Sequence, residues 1–328
     1  MINKDAYLVV DFLDKTKVQM AATRDGYGKG LVEAGEKDER VVVLCADLTE
    51  STRSLWFAEK FPERFIELGV AEQNMATVAA GLANYGKIPF ISSYAVFSPG
   101  RNNEQIRTTI AINNVPVKIG GAHAGISVGP DGATHQALED VALMRVMPRI
   151  TVLVPCDAVE AQKATVAAAF YPGPVYIRFG REKSPVFTTE ETPFQIGRAE
   201  IFRHGKDVAI IGCGMLLHNA LVAAEELSKE GIEAMVVNSH TIKPIDKETI
   251  VKAAKETGAV VSVEEHQVNG GLGSAVAEVL SKNHPVPQEF IGIQDRFGES
   301  GEPWELVEKF GMGVKDIKEA VKRVIKRK

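Results

Sequence analysis

Two stretches of this chain combine acids, imidazoles and glycines at spacings that can do chemistry. In Glu67-Leu68-Gly69-Val70-Ala71-Glu72-Gln73-Asn74, a short apolar-ended segment runs into Gly69 and opens a helix whose first turn carries Glu72. Met75, Val78, Ala79 and Leu82 continue at helical spacing with small residues between them, which predicts a buried helix. A carboxylate at the head of a buried helix is costly unless something uses it. The plainer role, an acid meeting the helix dipole, is the commoner case for this stretch taken alone. The second stretch runs from Gly120 to Gln136. It is rich in glycine and holds His123, Asp131 and His135 after a strand candidate. Glycines let a backbone approach a ligand, and two imidazoles can donate or accept protons near neutral pH. The same three side chains are of metal-ligating type, although their spacing fits no standard zinc pattern.

Other residues could assist. Tyr94 and Phe97, near a strand end, are either core filler or a flat platform for a heteroaromatic ring. Arg24 and Arg178 could each clamp a phosphate, with a surface ion pair as the alternative. Asp47-Leu48-Thr49-Glu50-Ser51 offers hydroxyls at another strand edge. Gly212-Cys213-Gly214 lacks the third glycine of a dinucleotide fingerprint, and only Glu233 stands where a ribose-binding acid would be. Gly270-Gly271-Leu272-Gly273 opens a helix that could hold an anion; both glycine patterns also suit tight strand-to-helix turns.

The elements that must position these residues alternate almost from end to end. Strands are expected at 41–46, 88–92, 115–120, 150–154 and 175–179, with helices near 24–37, 72–85, 101–113, 135–146 and 157–170. Continuous rather than alternating apolar strands imply burial on both faces, hence an α/β fold with a parallel sheet sandwiched by helices. Residues 181–196, polar and proline-bearing, read as a linker. A smaller α/β set follows, with strands near 207–212, 233–238, 259–264 and 289–293 and helices near 216–230, 246–257, 271–282 and 314–327. The expected domains are 1–190 and 191–328. A net charge of −5 with no sustained basic face argues against nucleic-acid or membrane-surface binding. Cys45, Cys156 and Cys213 are scattered, with no C-x-x-C pair, and no apolar run approaches the ~20 residues of a membrane span. A cytoplasmic location is expected.

Taken together, these stretches resemble the thiamine-diphosphate-dependent transketolase family. The matching segments are Ala22-Thr23-Arg24, Asp47-Leu48-Thr49, Gly69-Val70-Ala71-Glu72-Gln73-Asn74, the Tyr94/Phe97 segment, His123 and Asp131-Gly132-Ala133-Thr134-His135-Gln136. Pro155-Cys156-Asp157, Arg178, Ile242-Lys243-Pro244-Ile245-Asp246 and Glu264-Glu265-His266 follow in the same order. The family's G-D-G signature, which grips the diphosphate through magnesium, is absent. The resemblance therefore implies a pyrimidine-binding domain plus C-terminal domain, the C-terminal subunit of a split transketolase. Thiamine diphosphate would lie between this chain and an N-terminal subunit that holds Mg2+, in an α2β2 assembly, and no metal ligand falls on this chain.

The resemblance also implies roles. Glu72 would hydrogen-bond the aminopyrimidine, Phe97 with Tyr94 beside it would stack on that ring, and Leu48 would support the cofactor's bent shape. His123, Asp131 and His135 would meet sugar hydroxyls and carry protons, while Arg24, Ser51 and Arg178, with His123, would bind the sugar's phosphate. The implied reaction moves a two-carbon ketol unit from a ketose phosphate to an aldose phosphate. Rival readings are a 1-deoxyxylulose-5-phosphate synthase, a 2-oxo acid dehydrogenase β-subunit, and a non-catalytic homologue that only binds a partner.

Overall fold

The computed structural model describes residues 1–14 and 16–328. Its larger sheet has seven strands in the order Thr241–Lys243, Thr151–Leu153, Val175–Arg178, Lys118–Ala122, Ile88–Tyr94, Val41–Cys45 and Phe65–Glu67. All neighbours run parallel except the first pair. Alternate side chains explain why these strands read as unbroken apolar runs. Val41 and Val43 enter a core with Tyr27, Leu31 and Phe57, whereas Val42 and Leu44 enter another with Met75, Ala79 and Ile106. On the first face, helices Thr23–Lys37 and Ala158–Phe170 pack so closely that a Cβ on Gly26 would lie 1.9 Å from the Ala158 carbonyl oxygen. Only glycine permits that approach.

The second sheet has five strands in the order Gln288–Ile293, Val260–Gln267, Val208–Gly212, Ala234–Asn238 and Glu200–Arg203, the last antiparallel. Ala209 and Ile211 share the core of Met75 and Ile119, so one apolar core runs through both halves of the chain. The expected division at 190/191 is crossed twice. Thr241–Lys243 adds to the edge of the first sheet, and the N-terminal residues pack on the second half. There, Asn3 N–H donates to the Phe202 carbonyl at 2.9 Å, and Ala6 and Phe12 are buried with Phe202 and Leu216.

The segment 181–196 is not a solvated linker. Lys183–Pro185 pairs antiparallel with Met20–Ala22, and the Asp157 carboxylate accepts from the N–H groups of Phe187 and Thr188 at 2.9 and 2.7 Å. Two expected helices also differ. Residues 101–113 form a short α-turn, Asn103–Gln105, that runs into a π-helical stretch, Ile106–Ala111. The helix expected from residue 135 begins instead at Asp140, because the Gln136 carboxamide donates to the Ile126 and Glu299 carbonyls at 3.1 and 2.9 Å and pins that segment as a loop.

Candidate active site

Register brings the chemistry to one edge of the larger sheet. Cys45 lies level with Glu67 and Ser92, Tyr94 with Ala122, and Gly121 with Arg178, so five parallel strands end together. The loops leaving those ends carry Leu48 and Ser51, Glu72, Tyr94 and Phe97, and His123. Open α/β sheets bind ligands at this carboxyl-terminal edge.

Glu72 begins the helix Glu72–Asn84 and is 2% exposed. Its Oε2 accepts from Arg101 Nη1 at 2.8 Å, and its backbone carbonyl accepts from Asn102 Nδ2 at 3.1 Å. The helix is not buried all round, since Gln73, Asn74, Thr77 and Gly81 are exposed, with Val70 and Tyr85 at its two ends. Phe97 lies parallel to Tyr94 with ring centroids 6.0 Å apart, and the Arg101 guanidinium sits over Phe97, 4.6 Å from its centroid. Leu48 is half-buried between two residues tied down by one carboxylate. Glu67 accepts from Asp47 N–H, Gly69 N–H and the Thr49 hydroxyl at 2.7, 2.8 and 2.7 Å. It thereby joins the loop of Leu48 to the lead-in of Glu72, and nothing in the sequence singled it out.

The second cluster centres on His123, buried and held at φ 50 in the left-handed region that non-glycine residues rarely adopt. Tyr94 stacks on its ring at 4.1 Å. Arg24 Nη1 lies 3.2 Å from His123 Nε2 and donates to the Ser51 carbonyl at 3.1 Å. Arginine can only donate, so Nε2 accepts and the proton of the neutral ring is on Nδ1. Among the described residues that buried Nδ1 has no hydrogen-bond partner. Ser51 thus enters this cluster through its carbonyl. His135 meets Tyr94 and Phe97 edge-on at 6.2 and 5.6 Å, and its Nδ1 lies 2.9 Å from the Thr134 hydroxyl. Asp131 pairs with Arg181 at 3.5 Å, and Arg24 and Arg181 both act electrostatically on His123.

Burial, followed by Arg24 and Arg181, pushes the His123 pKa down to about 3. The ring is therefore neutral through the physiological range. Below about pH 6.5 the unfolded chain takes up a proton here that the folded chain refuses. Relative to His123→Gln, the wild type should thus lose about 1.4 kcal/mol per pH unit as pH falls from about 6.5 toward 3. Denaturant unfolding of both proteins at several pH values checks this; a pH-independent difference would contradict it.

Arg178 is not in this cluster. It is 6% exposed, its Nε donates to Asp140 Oδ2 at 2.9 Å, and its Nη2 donates to the Glu265 carbonyl at 2.8 Å. It ties the first sheet to the second half of the chain, and Arg181, three residues on, takes the position near His123. Several glycines also answer to packing and not to a ligand. A Cβ at Gly120 would meet Tyr27 Oη at 2.5 Å, and one at Gly121 would meet Tyr176 Oη at 2.2 Å. The helix opened by Gly270–Gly273 has its own acceptor, since Glu264 accepts from Leu272 and Gly273 N–H at 2.7 and 2.8 Å. Glu233 pairs with Arg203 at 3.3 Å, so it is engaged within the second half of the chain.

The donor set suits a planar aminopyrimidine. Glu72 is a buried acceptor and Phe97 offers a ring face beside it. Among the described residues no three His, Cys, Asp or Glu side chains converge as a metal cage, so His123, Asp131 and His135 do not form one. No helix of the described residues is long and apolar enough to cross a membrane.

Residues 19–186 match the family model described as the transketolase pyrimidine binding domain, and residues 197–317 match the transketolase C-terminal domain. The chain is 42% identical to the 6-deoxy-6-sulfo-D-fructose transketolase subunit SqwH of Clostridium sp. (strain MSTE9), over 96% of this chain and 98% of that protein. It is 45% identical to a putative transketolase C-terminal section of Methanocaldococcus jannaschii, over 93% of this chain and 96% of that one. A solved structure described as a split gene transketolase, inactive beta4 tetramer, superposes with a TM-score of 0.88 at 49% identity, covering 94% of this chain and 99% of that chain. With both domain models matched in order over most of its length and the fold shared with a split transketolase subunit, the chain belongs to the transketolase family.

Proposed function

We propose that this chain supplies the pyrimidine side and the sugar side of a thiamine diphosphate site, and that the completed enzyme transfers a two-carbon ketol unit from a ketose phosphate to an aldose phosphate. The observation that carries the reading is the convergence of Glu72 and Phe97 with the His123–Arg24–Arg181 cluster at one sheet edge. Thiamine diphosphate, when bound, supplies the nucleophilic carbon of the reaction. Glu72 holds the proton at the ring nitrogen, Phe97 backed by Tyr94 carries the ring face, and Leu48 supports the bend between the cofactor's two ends. His123, held neutral, donates a hydrogen bond from Nδ1 to a substrate oxygen, His135 exchanges protons with substrate oxygens, and Asp131 accepts from a hydroxyl. Arg24 and Arg181 bind the substrate's anionic end, Arg24 being aimed by the Ser51 carbonyl.

A partner N-terminal subunit holds the diphosphate and Mg2+, in an α2β2 complex in the cytoplasm. Support comes from the exposed face of the Glu72 helix beside the site and from similarity to subunits of split enzymes. The anion cluster would accept a sulfonate as readily as a phosphate, in keeping with the substrate named for the clostridial relative.

Arg181→Gln tests the substrate assignment. Loss of one charged hydrogen bond, worth about 1.5–3 kcal/mol, should raise KM for a phosphorylated acceptor about 10- to 100-fold with kcat nearly unchanged. The KM of a non-phosphorylated aldose should hardly move. Steady-state kinetics with both acceptors would show it, and equal effects on the two would remove Arg181 from phosphate recognition.

A further inference from the structure

Arg101 is the residue that the proposed chemistry does not use, yet it sits at its centre. Its guanidinium donates to the carboxylate of Glu72 at 2.8 Å and lies over the ring of Phe97, 4.6 Å from the centroid. A guanidinium is planar, cationic and edged with N–H donors. It therefore takes the two positions that a protonated aminopyrimidine would take: an N–H aimed at the buried acid and a place over the face of the aromatic ring. The Arg101 side chain as a whole is 46% exposed, so the group has a short way out to solvent.

From this geometry we infer that Arg101 is a positioning residue that stands in for the cofactor's ring and is displaced when that ring binds. The inference rests on the cofactor reading given above. The physical reason is the burial of Glu72. At 2% exposure its carboxylate would be left as an unpaired interior charge in a chain without cofactor, and removing the partner of a buried charge is strongly destabilising. Among the described residues Arg101 is the only cation paired with it. Arg101 also sets the orientation in which the acid waits, because its own N–H is bonded to the Phe97 carbonyl at 3.0 Å and moves with the loop that carries the platform. A side chain that fills a site competes with its ligand, and the apparent dissociation constant rises by the inverse of the open fraction.

The test is thiamine diphosphate binding, followed by calorimetry in the presence of Mg2+, to the complex of this chain with its diphosphate-binding partner. Arg101→Met, which keeps length and apolar bulk, should bind the cofactor more tightly, by roughly 10-fold if Arg101 occupies the site nine-tenths of the time. A merely structural arginine would not yield tighter binding when removed. In the isolated chain, Arg101→Met should lower the melting temperature, and this loss should shrink when Glu72→Gln removes the charge being paired. Weaker or unchanged cofactor binding by Arg101→Met, in a complex whose wild type does bind, would overturn this inference alone. A wild-type complex that binds no thiamine diphosphate would overturn the cofactor reading and this inference with it.

Discussion

Glu72→Gln should lower kcat of the assembled enzyme by about 100- to 10,000-fold, the range expected when a positioned proton-transfer group is removed. The change keeps the shape of a side chain that is almost fully buried, so the helix Glu72–Asn84 and its core contacts through Met75, Ala76 and Ala79 should persist. Arg101 loses its anion but is half exposed and can turn to water, which limits the cost to stability. The variant should therefore fold, assemble and melt close to the wild type while turning over little or no substrate. Paired measurements of kcat and melting temperature decide it. Activity within a few-fold of wild type would remove Glu72 from the chemistry and favour a non-catalytic binding role for the chain.

Asp140→Asn should act in the opposite way, through stability. Its Oδ2 accepts from both Tyr176 Oη and Arg178 Nε, at 2.6 and 2.9 Å, in a region closed to solvent. Neutralising it removes the carboxylate bonded to the buried Arg178 guanidinium and leaves only the Glu265 charge acting on it, which costs up to about 3–5 kcal/mol. The joint to the second half of the chain weakens with it, since Arg178 also holds the Glu265 carbonyl. Denaturant unfolding should report that loss, while KM for the sugar phosphate stays near its wild-type value in the folded fraction. A raised KM with unchanged stability would instead return Arg178 to the substrate site.

Most of the fold was legible because its signals are periodic. The strands near 41–46, 88–92 and 175–179 and the helices near 24–37, 72–85 and 157–170 appear within a few residues of where apolar spacing places them. Phe65–Glu67, Glu200–Arg203 and Thr241–Lys243 are too short to show a period, and Thr241–Lys243 is placed by the sheet it joins, far away in sequence. The segment 181–196 looked like a linker because its polar residues and prolines are what a solvated tether also uses. Asp157, some thirty residues upstream, turns it into a packed strap.

The site followed the same division. Glu72 and His123 stood out as costly residue types in apolar or glycine-rich company, and the structure places both at the sheet edge. Arg178 and Arg181 are three residues apart and chemically identical. Which of them is buried depends on Asp140 and Glu265, whose approach no local pattern reveals. Glu67 and Arg101 were missed for a related reason. Their roles lie in hydrogen bonds to Asp47, Thr49 and Glu72, and so exist only after the loops have met.

The central claim is that this chain is half of a thiamine diphosphate site that another chain completes. Its most direct test is a ketol-transfer assay with thiamine diphosphate, Mg2+, xylulose 5-phosphate and ribose 5-phosphate. The chain would be assayed alone and then mixed with an N-terminal subunit carrying the G-D-G signature. The account predicts turnover in the mixture and none with either chain alone. Turnover by this chain alone would contradict the shared site, and consumption of pyruvate with glyceraldehyde 3-phosphate in place of ketol transfer would contradict the reaction.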